Sequence, residues 1–570
     1  MKIYYRTEPR RRPAGRHGLQ FPLAAAGPPR SELPFVLGVL ADLSGHPIEP
    51  LKRLADRHFV EVNRDNFDDV LAAMKPSLSL RVENILAGDG SELNVRLQFG
   101  RMADFAPGRL ALQVEPLRSL IITRANLGSR EPPDSIDALL SRQVARVLHH
   151  PDFQKLEGSW RGLQYLVFNS EISPTLKVKV LNVSKPELAK DLETFVEFDQ
   201  TRLWKKIYVE EFCVPGGEPF GVLIGDYEFS RHPGEVQMLR KLSEVAAASF
   251  CPFVAAASPS LFEFKDFADL PKPRILAKIF LTDDYKGWNA FRETEESRFV
   301  ALVLPRVMAR RPFGDANKAL EEFTFEEFEL NEKGRPLETP HEHFCWMNAA
   351  YAYGAVLARA FAKTGWCLAI RGYENGGRID GLPLYEFVSA DGDTRTKCPT
   401  EVVIDDRRNA ELEDLGLLPL LWYKTTDYAV FSGSHATHKP IDYGPKRPND
   451  NLAAQLSTRL PFVLLACRLI QYLSLIVRSG APGLRENKSD LEAFLNKWIS
   501  EYVCDDPQVT EEIKARFPLA SAKVEVGEVP GAPGYCSVVL WIRPSLYPEV
   551  PSPGLRFVTK CRTGYHSLNN

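Results

Sequence analysis

Two rhythms of hydrophobic and polar positions run through this chain, one of period two and one close to 3.6. Residues 33–40 form an almost unbroken apolar run, Leu33-Pro34-Phe35-Val36-Leu37-Gly38-Val39-Leu40, closed by a polar turn at Ser44-Gly45, which predicts a strand buried in an α/β unit. Asp65 or Asn66 caps a helix that starts at Phe67 and runs to Met74, before Pro76. Strict alternation from 92 to 99 puts Leu93, Val95, Leu97 and Phe99 on one face of a half-buried strand. Leu110, Val114, Leu117 and Ile121 share one stripe and predict a single helix over about 107–126.

Residues 128–134 (Gly128-Ser129-Arg130-Glu131-Pro132-Pro133-Asp134) have a linker's composition, and helical periodicity resumes at Ile136. The spacing predicts helices over 136–149 and 153–168, an alternating strand over 176–183, and mixed strands and helices to about 304. An aromatic and alanine-rich helix over 344–363 ends at Gly365, and a long helix lies near 452–478. Its apolar stretch, 460–477, carries Pro461, Arg468 and Gln471, so it reads as a buried helix and not a bilayer span. A hairpin follows with arms 522–529 and 536–542 about Pro530-Gly531-Ala532-Pro533-Gly534, then a last extended piece at 555–560. The resulting division is an arm (1–30), a small α/β unit (31–127), a linker (128–135), a larger mixed α/β domain (136–560) and a tail (561–570). No internal repeat is visible.

Composition narrows the class of partner. Lys plus Arg (71) nearly balance Asp plus Glu (74), so no global field points to nucleic acid or an anionic membrane. The one uneven region is the arm, where Arg10, Arg11, Arg12 and Arg16 lie among prolines and glycines. The apolar segment after Arg16, 19–26, is broken by Pro22, and no export signal is read there. Nine cysteines are scattered without a C-x-x-C pair, the pattern of a reducing compartment.

Candidate chemistry is sparse. His341 and His343 at i, i+2 suggest no third metal ligand, and His435 and His438 lie between Gly433 and Pro440 in a loop. Asp226 and Glu228 follow a buried-type strand and could pair at its carboxyl end, where α/β enzymes keep their chemistry. A hydrolase on Asp226, Glu228 and a histidine such as His435 is therefore one reading, with Asp226 as a turn or helix cap the other. Gly372, Gly376, Gly377 and Gly381 lack the spacing of a nucleotide fingerprint. No cofactor and no metal is expected.

Longer ordered motifs carry a resemblance. The run 33–45, Arg57-His58-Phe59-Val60-Glu61-Val62-Asn63, Asp65-Asn66-Phe67-Asp68-Asp69, Met74-Lys75-Pro76 and Val114-Glu115-Pro116-Leu117 resemble TssB, the small type VI secretion sheath protein. From 148–157 (Leu148 to Glu157) and Trp160-Arg161-Gly162-Leu163 onward the chain resembles the large sheath protein TssC. That match continues through 215–219, Gly225-Asp226-Tyr227-Glu228-Phe229, 255–259, 291–295, 304–306, 311–314, 365–367, 397–401 and 530–534.

The resemblance implies a cytoplasmic, non-enzymatic subunit of a contractile sheath that wraps an Hcp-like inner tube and meets baseplate and distal cap proteins. It implies no nucleic-acid partner and no membrane insertion. Fusion would make the TssB–TssC association intramolecular and fix it at one to one. It also implies strands donated between neighbours: Leu19, Gln20, Phe21 and Leu23 in the arm, Leu555, Arg556, Phe557 and Val558 near the end, and an accepting hairpin with Val524, Val526, Val538, Leu540 and Ile542. A donor of four or five residues would gain about 0.5–1.5 kcal/mol per hydrogen bond, so repetition along a lattice must supply the strength. The outer helices that TssC offers to the unfoldase ClpV look trimmed to the linker, which makes ClpV a doubtful partner. The sheath of a related phage-tail-like particle, or a scaffold that never polymerises, remain alternatives.

Overall fold

The computed structural model describes residues 2–6, 33–127, 134–214, 216–314, 323–328, 340–389, 392–479, 488–504, 510–528, 535–545 and 554–562. The strands in chain order begin with β1 (Lys2–Arg6), β2 (Phe35–Ala41), β3 (Val60–Val62), β4 (Ser77–Glu83), β5 (Glu92–Gln98), β6 (Leu176–Asn182), β7 (Phe220–Phe229), β8 (Phe253–Ala257) and β9 (Val300–Leu304). They continue with β10 (Val307–Met308), β11 (Trp346–Met347), β12 (Arg378–Ile379), β13 (Tyr385–Val388), β14 (Thr394–Lys397), β15 (Leu418–Trp422), β16 (Ala429–Phe431), β17 (Leu519–Glu528), β18 (Tyr535–Pro544) and β19 (Gly554–Arg562).

Nine of these strands make one mixed sheet in the order β12-β16-β15-β9-β8-β7-β2-β6-β3. Pairing is parallel from β15 through β6 and antiparallel at both margins. The apolar run at 35–41 is thus an interior strand: β2 is held along its whole length by β6 on one side and by β7 on the other. Its side chains divide between two cores, Val36 and Leu40 into one, Leu37 and Val39 into the other. A strand covered on both faces needs apolar residues at every position, hence the missing alternation. The small unit and the larger domain distinguished by composition therefore share a sheet.

Helices α1 (Phe67–Met74), α2 (Pro107–Gln113), α3 (Glu115–Leu127), α4 (Asp134–Leu148) and α5 (Pro151–Phe168) cover one face of this sheet with the β4–β5 hairpin. The single helix expected over 107–126 is two. Val114 leaves the helix (φ −103, ψ 113) because Pro116 lacks the N–H that would bond Leu112, and Pro116 instead sits in the first turn of α3. All four stripe residues remain in one core. Asn66 stands at the N-cap of α1, but its side chain makes no cap bond to the helix and accepts from Asn63 N–H instead.

The opposite face carries α6 (Lys185–Thr194) and α8 (Pro233–Ser249), with the short α7 (Arg202–Trp204) and α9 (Lys286–Arg292) beside them. Helix α10 (Ala349–Thr364) returns to the first face. It starts later than the expected 344, where Asn348 accepts from Ala350 N–H, and it ends as expected at Gly365, whose φ of +80° favours glycine. After α11 (Asp406–Asp414), the long helix expected near 452–478 is again a pair, α12 (Pro448–Ser457) and α13 (Leu460–Ser479). By length and composition 460–477 could cross a membrane, but 83% of it is buried. Its polar residues have internal work: Arg468 donates to the carbonyls of Leu33 and Pro34, and Gln471 to those of Phe220 (2.8 Å) and Phe250 (3.1 Å).

Helix α5 lies close against α10 and β11 because Gly158 and Gly162 share one face. A Cβ at Gly162 would collide with the Tyr351 ring, and one at Gly158 with the Trp346 carbonyl. Gly162→Ala is expected to lower stability by about 1–3 kcal/mol, read as a shift in the urea midpoint.

Buried charge ties the same helix to the segment after β10. Arg310 Nε donates to Glu157 (2.7 Å), its Nη1 and Nη2 donate to Glu327 (2.7 and 3.1 Å), and Arg161 reaches Glu157 from one turn away (2.7 Å). Glu327 also accepts from Phe313 N–H (2.7 Å). Burial works to raise both carboxyls, but Arg310 and its neighbours outweigh it, holding Glu157 below the usual range and Glu327 at about 2.

Candidate functional site

The chain ends meet in a second sheet. Its order is β1-β19-β18-β17, antiparallel throughout. In the hairpin Ala522, Val524 and Val526 lie opposite Ile542, Leu540 and Val538. Val524, Val526, Val538, Leu540 and Ile542 are all buried in the core that also holds α13. Helix α14 (Lys488–Ser500) closes the free margin of β17: Asn496 bonds both N–H and C=O of Val524 (2.9 and 2.7 Å), and Glu492 accepts from Val526 N–H (2.9 Å). Growth of this sheet is therefore confined to the β18 side.

On that side lies β19, with Leu555, Arg556, Phe557 and Val558 opposite Ile542, Trp541, Leu540 and Val539. Strand β1 completes the sheet, Lys2 opposite Val558 through Arg6 opposite Gly554. Leu19, Gln20, Phe21 and Leu23 lie outside the described residues, so the strand expected there has no structural account. The strand seen at the amino end is Lys2-Ile3-Tyr4-Tyr5-Arg6. Its aromatic and β-branched content was a readable signal.

Asp226 and Glu228 stand within the carboxyl-terminal part of β7 and line a cleft of about 430 Å³ with Asp42, Lys155, Ser159 and Arg306. Burial raises Asp226 above the carboxylate range, against the hydroxyls of Ser159 and Tyr351 beside it. Burial also raises Glu228, against Arg306, whose Nε lies 2.7 Å from its Oε1. His435 is not with them: it faces Glu413 (3.7 Å) and is bridged to Arg459, and burial holds it down at about 4. His438 is buried against Ser297 and Arg298.

His341 bonds Glu401 (3.0 Å), whereas His343 stacks on His149 with ring centres 4.2 Å apart. Among the described residues no group of three or more His, Cys, Asp or Glu could hold a metal. The hydrolase constellation is not assembled.

Comparison with known proteins defines the class. Residues 134–438 match the family described as VipB (EvpB/VC_A0108, tail sheath N-terminal domain), and residues 449–561 match the tail sheath gpW/gp25-like domain of VipB. Residues 13–157 match the type VI secretion system VipA family (VC_A0107 or Hcp2). The type VI secretion system sheath protein TssC1 of Pseudomonas aeruginosa is 43% identical over 432 residues, 75% of this chain and 84% of the relative. TssB1 of the same organism is 45% identical over 98 residues, 17% of this chain, which spans 56% of that relative's length. Among solved structures, a VipA-N2/VipB contracted sheath is 31% identical over 20% of this chain and 79% of that one, with a TM-score of 0.15.

The chain is a structural subunit of a contractile sheath. It belongs to the type VI secretion sheath family and joins a TssB-like and a TssC-like portion in one polypeptide.

Proposed function

We propose that copies of this chain stack head to tail into a helical tube around an Hcp-like inner tube, and that shortening of the tube drives the inner one through a target membrane. Head-to-tail contacts that do not close into a ring generate such a helix. Neighbours are linked by exchange of the chain ends: β19 and β1 of one copy complete the β17–β18 hairpin of the next, as they complete their own in an isolated chain. The arm strand Leu19–Leu23 is a further donor in this reading. The observation that carries it is the terminal sheet, in which both ends of the chain form the outer half and α14 seals the far margin.

The role is structural, without catalysis, in the cytoplasm, with baseplate and distal cap proteins at the two ends of the tube. Division of the chain into 31–127 and 136–560 follows its two relatives, even though β2 lies inside the sheet of the larger part. Only residues 128–133 separate α3 from α4, which leaves little for an outer helical domain, so ClpV binding is weak or absent. A pull-down giving tight, contraction-dependent ClpV binding would refute that point.

Negative-stain microscopy of the purified chain, alone and with an inner-tube protein, tests the whole reading. Striated tubes of constant diameter are expected. A discrete oligomer by light scattering and no tubes under either condition would end it.

A further inference from the structure

The cleft at the carboxyl ends of β2 and β7 holds charge that the sheath role does not use. Glu228 is paired with Arg306, and Lys185 donates to Glu235 and to the Glu228 carbonyl (2.5 Å). Asp226 and Asp42 differ: among the described residues no cation pairs with either within 4 Å, although both line the cleft. The fully buried Tyr351 hydroxyl lies beside Asp226 and completes no hydrogen bond with a protein atom. A buried hydroxyl left open beside an unpaired carboxyl is costly unless something else enters.

Two aromatic walls belong to the same space. Phe344 and Trp346 line the cleft, and their rings already receive one cation, Lys397, with Nζ 5.1 and 5.8 Å from the two ring centres. Electron-rich faces next to unpaired carboxylates suit an organic cation. The volume exceeds what a bare ion needs.

We propose that this cleft binds an alkylammonium or guanidinium group, held between Asp226 and Asp42 with its stem against Phe344 and Trp346. The group is the end of a lysine or arginine side chain from a neighbouring copy, or a free diamine of the same chemistry. Bound charge would favour the ionised form of Asp226, which burial disfavours. Lys155, exposed at the mouth, repels the incoming group.

Agmatine titrated into the dispersed full-length chain by calorimetry is the test, and it does not depend on tube formation. Saturable binding is expected, weakened about tenfold or more in Asp226→Asn and tightened in Lys155→Ala. Asp42→Asn carries the test if Asp226→Asn fails to keep the parent's circular dichroism. Absence of binding, or equal affinity in the folded Asp-to-Asn variant, overturns the proposal. A second arm follows assembly by light scattering. Inhibition by agmatine identifies the occupant as a basic side chain of a neighbouring copy, and unaffected assembly identifies it as a free cation.

Discussion

Arg310→Leu is expected to cost about 3–5 kcal/mol and to move the urea midpoint far below that of the parent chain. The guanidinium is only 8% exposed and is the shared partner of two carboxylates that are 0% and 1% exposed. Removing it leaves Glu157 with Arg161 alone and Glu327 with His149 at 3.5 Å. The penalty is that of buried charge without compensation and not of one lost hydrogen bond, so Glu157→Gln/Glu327→Gln/Arg310→Leu should recover most of it. A single variant with an unchanged midpoint would show that water reaches these carboxylates.

The same cluster sets a response to acid. Glu327 titrates near 2 in the fold against an ordinary 4.5, so the unfolded chain binds the proton first. Its stabilisation is complete above about 4.5 and is lost as pH falls toward 2. Glu327→Gln should flatten the fall in stability over that window.

Removing residues 554–570 is expected to abolish tubes while leaving the nine-stranded sheet folded. Strand β19 has nine residues, about twice the donor length read from sequence, and it faces β18 over eight register pairs. At about 0.5–1.5 kcal/mol net per hydrogen bond, one strand would hold its neighbour by roughly 4–12 kcal/mol. Repetition then reinforces a link that is already substantial.

Register also supplies a direct assay, because Cys536 and Cys561 are opposite one another across β18 and β19. Cα separations of antiparallel partners, about 4.5–5.5 Å, fall within the range a disulfide spans. Mild oxidation of assembled tubes should give a covalent ladder on a non-reducing gel, absent in Cys561→Ser, if the strand is exchanged. A monomer band alone would place both ends at home.

Period and punctuation made much of this fold legible. Strands at 35–41, 92–98 and 176–182, the hairpin and the buried character of 460–477 all follow from apolar spacing, because burial on one or two faces imposes it. What stayed hidden was non-local. Nothing in residues 35–41 says that their neighbours are 176–182 and 220–229, since hydrogen-bond partners leave no mark on a strand apolar at every position. Two helices were merged across Val114 and across Thr458, where a proline two or three residues on restarts the helix instead of ending it. Of the site, the accepting hairpin residues could be read from alternation. The sealing of β17 by Asn496 and Glu492 could not, being a contact between segments about thirty residues apart.

The position of β2 bears on how the protein is made. Its second neighbour, β7, is finished roughly 190 residues after β2 itself. At about 5–20 residues per second the ribosome leaves one margin of that apolar strand open for about 10–40 s. For that interval the nascent chain carries a sticky, half-matched ribbon, and synthesis of this polypeptide must rely on chaperone shielding or slow collapse to keep growing chains from joining one another.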